Sequence, residues 1–152
     1  MRAHKEEMCF RVIIIIPLLP GFQALMFKRC NGLRFNGLTH VNSPRVHITI
    51  TTCYNVIVSN LHIIAPETSP NTDGINVASS TNVNIHDSVI EIGDHCISLS
   101  GGSSDVKISG IMCGPDHGIR FSIIYFQKYI YLGKSSLNIL HHETCYNIYQ
   151  FM

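Results

Sequence analysis

Short apolar runs with alternating polarity recur through the middle of this chain, each bounded by Asn, Gly, Ser or Pro, and no helical period competes with them. Val46-His47-Ile48-Thr49-Ile50, Asn55-Val56-Ile57-Val58, Asn82-Val83-Asn84-Ile85 and Asp105-Val106-Lys107-Ile108 are of this kind. Alternate side chains of a strand face opposite ways, so Val83 and Ile85 are expected inside, and Asn82, Asn84 and His86 outside. The runs are also evenly spaced. Ile75, Ile97 and Ile119 step by 22 and again by 22 residues, and Ile48 precedes Ile75 by 27. An independent set, Leu33, Val56, Val83 and Val106, steps by 23, 27 and 23, so both sets lengthen in the same repeat. A period of this length predicts a solenoid in which each coil adds one rung to parallel sheets. The extra residues fall in Ala65-Pro66-Glu67-Thr68-Ser69-Pro70, which predicts a loop that bulges from the coil and walls one side of a cleft.

The expected fold is therefore all-β, an incomplete parallel β-helix of about four coils with irregular ends. Residues 24–121 carry the repeat. Residues 1–23 do not: a charged start is followed by the apolar run Val12-Ile13-Ile14-Ile15-Ile16-Pro17-Leu18-Leu19, too short to span a bilayer as a helix. That run resembles the hydrophobic part of a secretory signal, although Glu6, Glu7 and Arg11 interrupt the pattern. A cap, a further β-rich coil and a wrongly assigned chain start are the other readings. After Phe121 the pattern fails again, and residues 122–152 are expected to be a non-repeat tail. An open solenoid end exposes a strand edge, so a monomer with some tendency to self-associate is expected.

Composition narrows the function. The 152 residues suit one domain, and 45% hydrophobic content supplies a core. Eleven Lys plus Arg against ten Asp plus Glu leave no basic field for a nucleic-acid backbone. No membrane partner is expected either. Nine histidines make the net charge responsive to pH between about 5 and 8. The six cysteines do not by themselves fix the compartment. Cys30 and Cys53 fall at equivalent coil positions and read as stacked core residues, while His40, His47, His62 and His86 read as surface or turn residues.

Three polar clusters stand just ahead of the isoleucine markers: Asn71-Thr72-Asp73-Gly74, Gly93-Asp94-His95-Cys96 and Asp116-His117-Gly118. Equivalent positions on successive coils lie about 4.8 Å apart. Asp73, His95 and His117 are thus expected in one column, with Asp94 beside it. Acids on adjacent coils crowd one another, which raises the pKa of one and keeps a proton available for transfer. Glycoside hydrolysis needs that combination of a protonated carboxyl and a carboxylate that activates water.

From about Ala24 to Ile119 the chain resembles the plant polygalacturonases of glycoside hydrolase family 28, whose motifs Asn-Thr-Asp, Gly-Asp-Asp and Gly-His-Gly come in this order and at this spacing. The words Thr39-His40-Val41-Asn42-Ser43-Pro44, Leu61-His62-Ile63-Ile64-Ala65-Pro66 and Cys113-Gly114-Pro115 are similar too. The resemblance implies a right-handed β-helix, secretion to the cell wall, no cofactor, and hydrolysis of the α-1,4 bonds of pectin (polygalacturonate) with inversion. It implies that Asp94 is the general acid, that Asp73 helps activate water, that His117 holds acid or substrate, and that Cys96 pairs with Cys113.

Three positions depart from the pattern. His95 stands for the second Asp of Gly-Asp-Asp, Asp116 stands for a Gly, and the Arg-Ile-Lys word that would bind uronate carboxylates is absent, so substrate-binding residues are unassigned. These departures keep a second reading open, a non-catalytic β-helix that binds pectin weakly or is inactive. A third is a divalent-metal site on Asp73, His95 and His117. Leu132-Gly133-Lys134-Ser135-Ser136 restores a family word, which suggests that roughly residues 121–131 are inserted sequence.

Overall fold

The computed structural model describes residues 12–14, 25–69, 71–115, 118–121, 130–132 and 137–139, the first and the last two of these segments as strand backbone. Strands and turns account for all of them. In chain order the strands are β1 (Val12–Ile14), β2 (Leu25–Lys28), β3 (Arg34–Asn36), β4 (Thr39–Val41), β5 (Ile48–Thr51), β6 (Tyr54–Ser59), β7 (His62–Ile64), β8 (Ile75–Ala78), β9 (Thr81–Ile92), β10 (Ile97–Leu99), β11 (Ser104–Pro115), β12 (Ile119–Phe121), β13 (Ile130–Leu132) and β14 (Leu137–Ile139).

These strands stack into a parallel solenoid of about four turns. One face is the parallel run β2-β5-β8-β10-β12. The other strands line two further faces, β3-β6-β9-β11-β13 and β4-β7-β9, with β14 continuing the latter along β11. β9 and β11, at 12 residues each, bend and serve both. The register is the one the spacing predicts: Ile48 pairs with Ile75, Ile75 with Ile97 and Ile97 with Ile119. Val56 likewise pairs with Val83, and Val83 with Val106. These columns of β-branched side chains fill the interior, where Ile48, Ile75, Ile85, Ile90, Ile97 and Val106 are wholly buried. Each coil gains its apolar contacts only from its neighbours, so the stack is the unit that is stable.

Corners recur because backbone conformation recurs. Gly37, Asn60, Asp87 and Gly110 follow residues that pair in register, and all have positive φ, between 50° and 71°. A second corner uses Gly32, Asn55, Asn82 and Asp105 at 53° to 76°. Left-handed backbone costs a non-glycine residue roughly 1–2 kcal/mol, and the stacked coils offset it with side-chain ladders. Asn82 Nδ2 donates to Asn55 Oδ1 at 2.8 Å, and Asn55 Nδ2 to Asn31 Oδ1 at 2.9 Å. Inside the corners, hydroxyls satisfy buried backbone N–H groups of the preceding coil. Cys53 N donates to Ser80 Oγ (3.0 Å), Ser80 N to Ser103 Oγ (3.4 Å) and Leu61 N to Ser88 Oγ (3.1 Å).

Two features differ from the sequence reading. His47 is fully buried instead of lying at the surface, because it occupies the register of Gly74 and Cys96 just ahead of Ile48. Its Nδ1 lies 2.7 Å from His40 Nδ1. Cys53 is a free buried thiol stacked on Cys30 as expected (Cys30 N to Cys53 Sγ, 3.4 Å), whereas Cys30 is itself disulfide-bonded. Short strands also lie outside 24–121. β1 adds antiparallel to β2, and β13 and β14, from the stretch expected to lie beyond the repeat, pair in parallel with β11. An exposed sheet edge with unpaired backbone groups is the physical reason that such segments add to it. The proposed insertion at 121–131 falls largely outside the described residues.

Candidate active site

The Asp73 and the Asp94–His95 clusters sit where a coil turns into the β5-β8-β10-β12 face. Asp73 enters β8, and its carbonyl accepts the His47 N–H of the preceding coil at 2.9 Å. Gly74 N donates to the His95 carbonyl (2.9 Å), and Cys96 N donates to the Gly118 carbonyl (2.8 Å). The turns are thereby locked one above another. Gly74 has no side chain for a structural reason: a Cβ there would lie 2.5 Å from the Cys96 carbonyl oxygen and 2.7 Å from Ile90 Cγ2.

The loop after β7 shapes the other side. Ser69 N donates to the Pro66 carbonyl (2.9 Å), and the buried Thr72 hydroxyl donates to the Ser69 carbonyl (3.1 Å), so the loop is folded back toward Asp73. Its Glu67 backbone comes down onto Gly93, where a Cβ would collide with the Glu67 carbonyl. Glycine at 93 thus permits the loop to approach the coil that carries Asp94 and His95.

Three of the four expected catalytic side chains converge. His95 Nδ1 lies 2.8 Å from Asp94 Oδ1 and 3.3 Å from Asp73 Oδ1, and one ligand atom from each residue lies within 4.8 Å of the others. All three are partly open to solvent, with side-chain exposures of 16% for Asp73 and 24% for both Asp94 and His95. Asp94 Oδ1 also accepts the backbone N–H of His95 at 2.9 Å. Burial first, and then the neighbouring Asp94 carboxylate, push Asp73 above the ordinary carboxylate range, while His95 pulls the other way. Crowded acids were expected to strengthen one proton's hold. Asp73 thus holds its proton more tightly than an ordinary carboxyl, whereas the motif match gives the acid's role to Asp94.

His117 and Asp116, and with His117 the third member of the column and of the metal trio, lie outside the described residues. Cys96 and Cys113 are bridged, with Cα atoms 6.0 Å apart, and tie the Asp94–His95 turn to the next coil. The set Asp73, Asp94 and His95 has the donor types a divalent ion uses, but the same approach is what a carboxyl pair around a water would also show.

A family model for the glycosyl hydrolases of family 28 matches residues 20–123. The chain belongs to this family. Among family 28 relatives, a "probable polygalacturonase" of Arabidopsis thaliana is 56% identical over 96 residues, 63% of this chain and 21% of that protein. Polygalacturonase QRT2 of Arabidopsis thaliana is 43% identical over 104 residues, 68% of this chain and 24% of its own length. Polygalacturonase-2 of Solanum lycopersicum is 45% identical over 104 residues, 68% of this chain and 23% of the relative. The chain thus spans about a fifth to a quarter of these family 28 proteins, and the matched part includes the Asp73, Asp94 and His95 coils.

Proposed function

We propose that this chain hydrolyses the α-1,4-galacturonosyl bonds of polygalacturonate, with inversion, in the extracellular cell wall. The observation that carries the reading is the convergence of Asp73, Asp94 and His95 at the mouth of one sheet face, in a chain of family 28. Asp73 and Asp94 act as a coupled pair that shares a proton. Asp94 delivers it to the leaving glycosidic oxygen, and Asp73 stores it in the free site, where burial favours its neutral form. Once Asp73 has passed the proton on, its carboxylate takes a proton from the attacking water as the water oxygen bonds to the sugar carbon and the glycosidic bond breaks, which restores the shared proton. His95, within 3.3 Å of both carboxylates, stands where the family motif has a second Asp. His117, which matches the family's Gly-His-Gly word, holds the acid or the sugar. Inversion rests on family membership alone.

A second reading is favoured by one residue. His95 replaces a carboxylate that the family motif uses, and the loss of that base would leave a β-helix that binds pectin without cutting it. Reducing-end release from polygalacturonate separates the two. Hydrolysis by the full chain that falls at least about 100-fold in Asp94→Asn supports the hydrolase. Retention on the polymer with no new reducing ends, before and after His95→Asp, supports the binding module.

A further inference from the structure

His95 puts an imidazole where the word Gly-Asp-Asp has a carboxylate, and so changes the donors of the cleft from oxygen alone to oxygen with nitrogen. Asp73 Oδ1 and Asp94 Oδ1 lie 3.3 and 2.8 Å from His95 Nδ1, and one ligand atom of each residue lies within 4.8 Å of the others. Among the described residues, no other three His, Cys, Asp or Glu side chains come this close. A zinc ion holds nitrogen and oxygen ligands at about 2.0 to 2.2 Å, so two ligand atoms of its tetrahedron stand about 3.3 to 3.6 Å apart. The Asp73–His95 spacing already fits. The Asp94–His95 spacing has to open by about 0.5 Å, a small turn about the soft terminal torsion of a carboxylate.

The frame under these side chains is fixed on several sides. Gly74 N donates to the His95 carbonyl and Cys96 N to the Gly118 carbonyl, the Cys96–Cys113 bridge ties the turn to the next coil, and the Glu67 backbone presses on Gly93. Each ligand is mostly covered yet keeps 16% to 24% of its side chain exposed, which leaves the solvent side open for a water as fourth ligand. Two ionised carboxylates and a neutral imidazole carry the charge that a divalent ion neutralises. With Nε2 holding its proton, the imidazole offers the Nδ1 lone pair to an ion. Carboxylates around a water have no use for that nitrogen, whereas zinc, cobalt(II), nickel(II) and copper(II) favour it over an all-oxygen set, and calcium and magnesium do not.

We propose that Asp73, Asp94 and His95 bind a zinc-type divalent ion, and that the bound ion blocks hydrolysis by occupying both carboxylates. Binding of the ion stands on the geometry of this chain, while the block on hydrolysis rests on the polygalacturonate reading.

The test is calorimetry of the full, untagged chain with zinc chloride and no sugar present. His95→Gln should weaken zinc binding at least about tenfold, since it removes a direct ligand. His95→Asp keeps a ligand without the nitrogen and should shift preference from zinc toward calcium, a readout that holds even if the Gln variant is less stable. Cobalt(II) in place of zinc should give visible absorption in the parent and lose it in His95→Gln. His62→Gln should bind like the parent, because His62 meets only Glu91, at 2.7 Å, as an exposed pair on another face. In a second arm, zinc should slow reducing-end release from polygalacturonate by the parent, a chelator should restore it, and His95→Asp should be slowed less. A parent that binds no zinc, equal binding by His95→Gln and the parent, or an equal loss in His62→Gln overturns the site. Undiminished hydrolysis with zinc bound overturns the block alone. A chain that binds zinc as expected but releases no reducing ends without it overturns the polygalacturonate reading and the block, and supports the site.

Discussion

His47 makes the fold sensitive to acid, by an amount that follows from its surroundings. Its ring is wholly buried, meets the His40 ring edge-on with centroids 4.8 Å apart, and shares a 2.7 Å Nδ1 to Nδ1 contact with it. One of these two nitrogens donates and the other accepts, so the neutral pair is satisfied there. The His47 Nε2 atom has no partner among the described residues, and a second proton would stand unpaired in the interior. Burial first, and then the neighbouring His40, lower the His47 pKa from 6.5 to about 3. For a base whose folded pKa is depressed, the unfolded chain binds a proton in that window and the folded chain does not. Stability is therefore complete above about pH 6.5 and falls as the pH drops toward 3. At about 1.36 kcal/mol per unit, the loss is roughly 2 kcal/mol by pH 5 and about 4 to 5 kcal/mol by pH 3, a large part of a small domain's total. Asp73 works against this trend, since its raised pKa favours the folded state as pH falls. Comparing variants isolates the histidine. Urea unfolding at pH 7 and pH 5 should show the parent losing roughly 2 kcal/mol more than His47→Asn between the two. Proton NMR of the parent gives a check that needs no variant. A His47 ring signal that titrates near 6.5 in the folded protein, or identical pH dependence in parent and variant, would refute the reasoning.

Other expectations follow from single contacts. Gly93→Ala should displace the 65–69 loop, costing about 1 to 3 kcal/mol in urea melts and sharply reducing hydrolysis; an unchanged melt and rate would remove the loop's part in the site. Asp105→Asn should extend the ladder of Asn31, Asn55 and Asn82 by one rung and stabilise the chain by about 0.5 to 1.5 kcal/mol, read as a higher urea midpoint. Removing the Cys96–Cys113 bridge, which closes a 17-residue separation, by Cys96→Ser with Cys113→Ser should cost about 3 kcal/mol and loosen the Asp94 turn, measured as a lower urea midpoint than the parent's. His95→Asp should restore a carboxylate to the cluster and raise the rate of reducing-end release at least severalfold; a fall in rate would mean that the imidazole itself takes part in the chemistry.

The fold could be read from the chain because a stacked coil repeats its own constraints. Ile75, Ile97 and Ile119 keep one spacing because each must fill the same interior slot, and the structure pairs them in that order. The asparagines at the corners were legible for a related reason, since only residues tolerant of left-handed backbone recur there. Thr52 and Ser79 take that conformation too, at φ of 55° and 47°, without any preference that marks them in the sequence. His47 was misread because a polar side chain in an alternating run suggests a surface. Its register with Gly74 and Cys96, both at the inside of the turn, was the available signal. The meeting of Asp73, Asp94 and His95 was implied by the 22-residue step, but which carboxyl holds the proton was not. The raised pKa of Asp73 comes first from its burial, which no spacing encodes. The strands at 130–132 and 137–139 follow from the edge that β11 offers, not from a repeat in their own residues.

The most direct measurement is a crystal structure of the full chain, carrying Asp94→Asn, with an oligogalacturonide bound. The expected result is a sugar chain on the outer face of β5, β8, β10 and β12, with a glycosidic oxygen against residue 94 and a water held near Asp73. Sugar on a different face, or Asp73 and residue 94 turned away from it, would contradict the assignment.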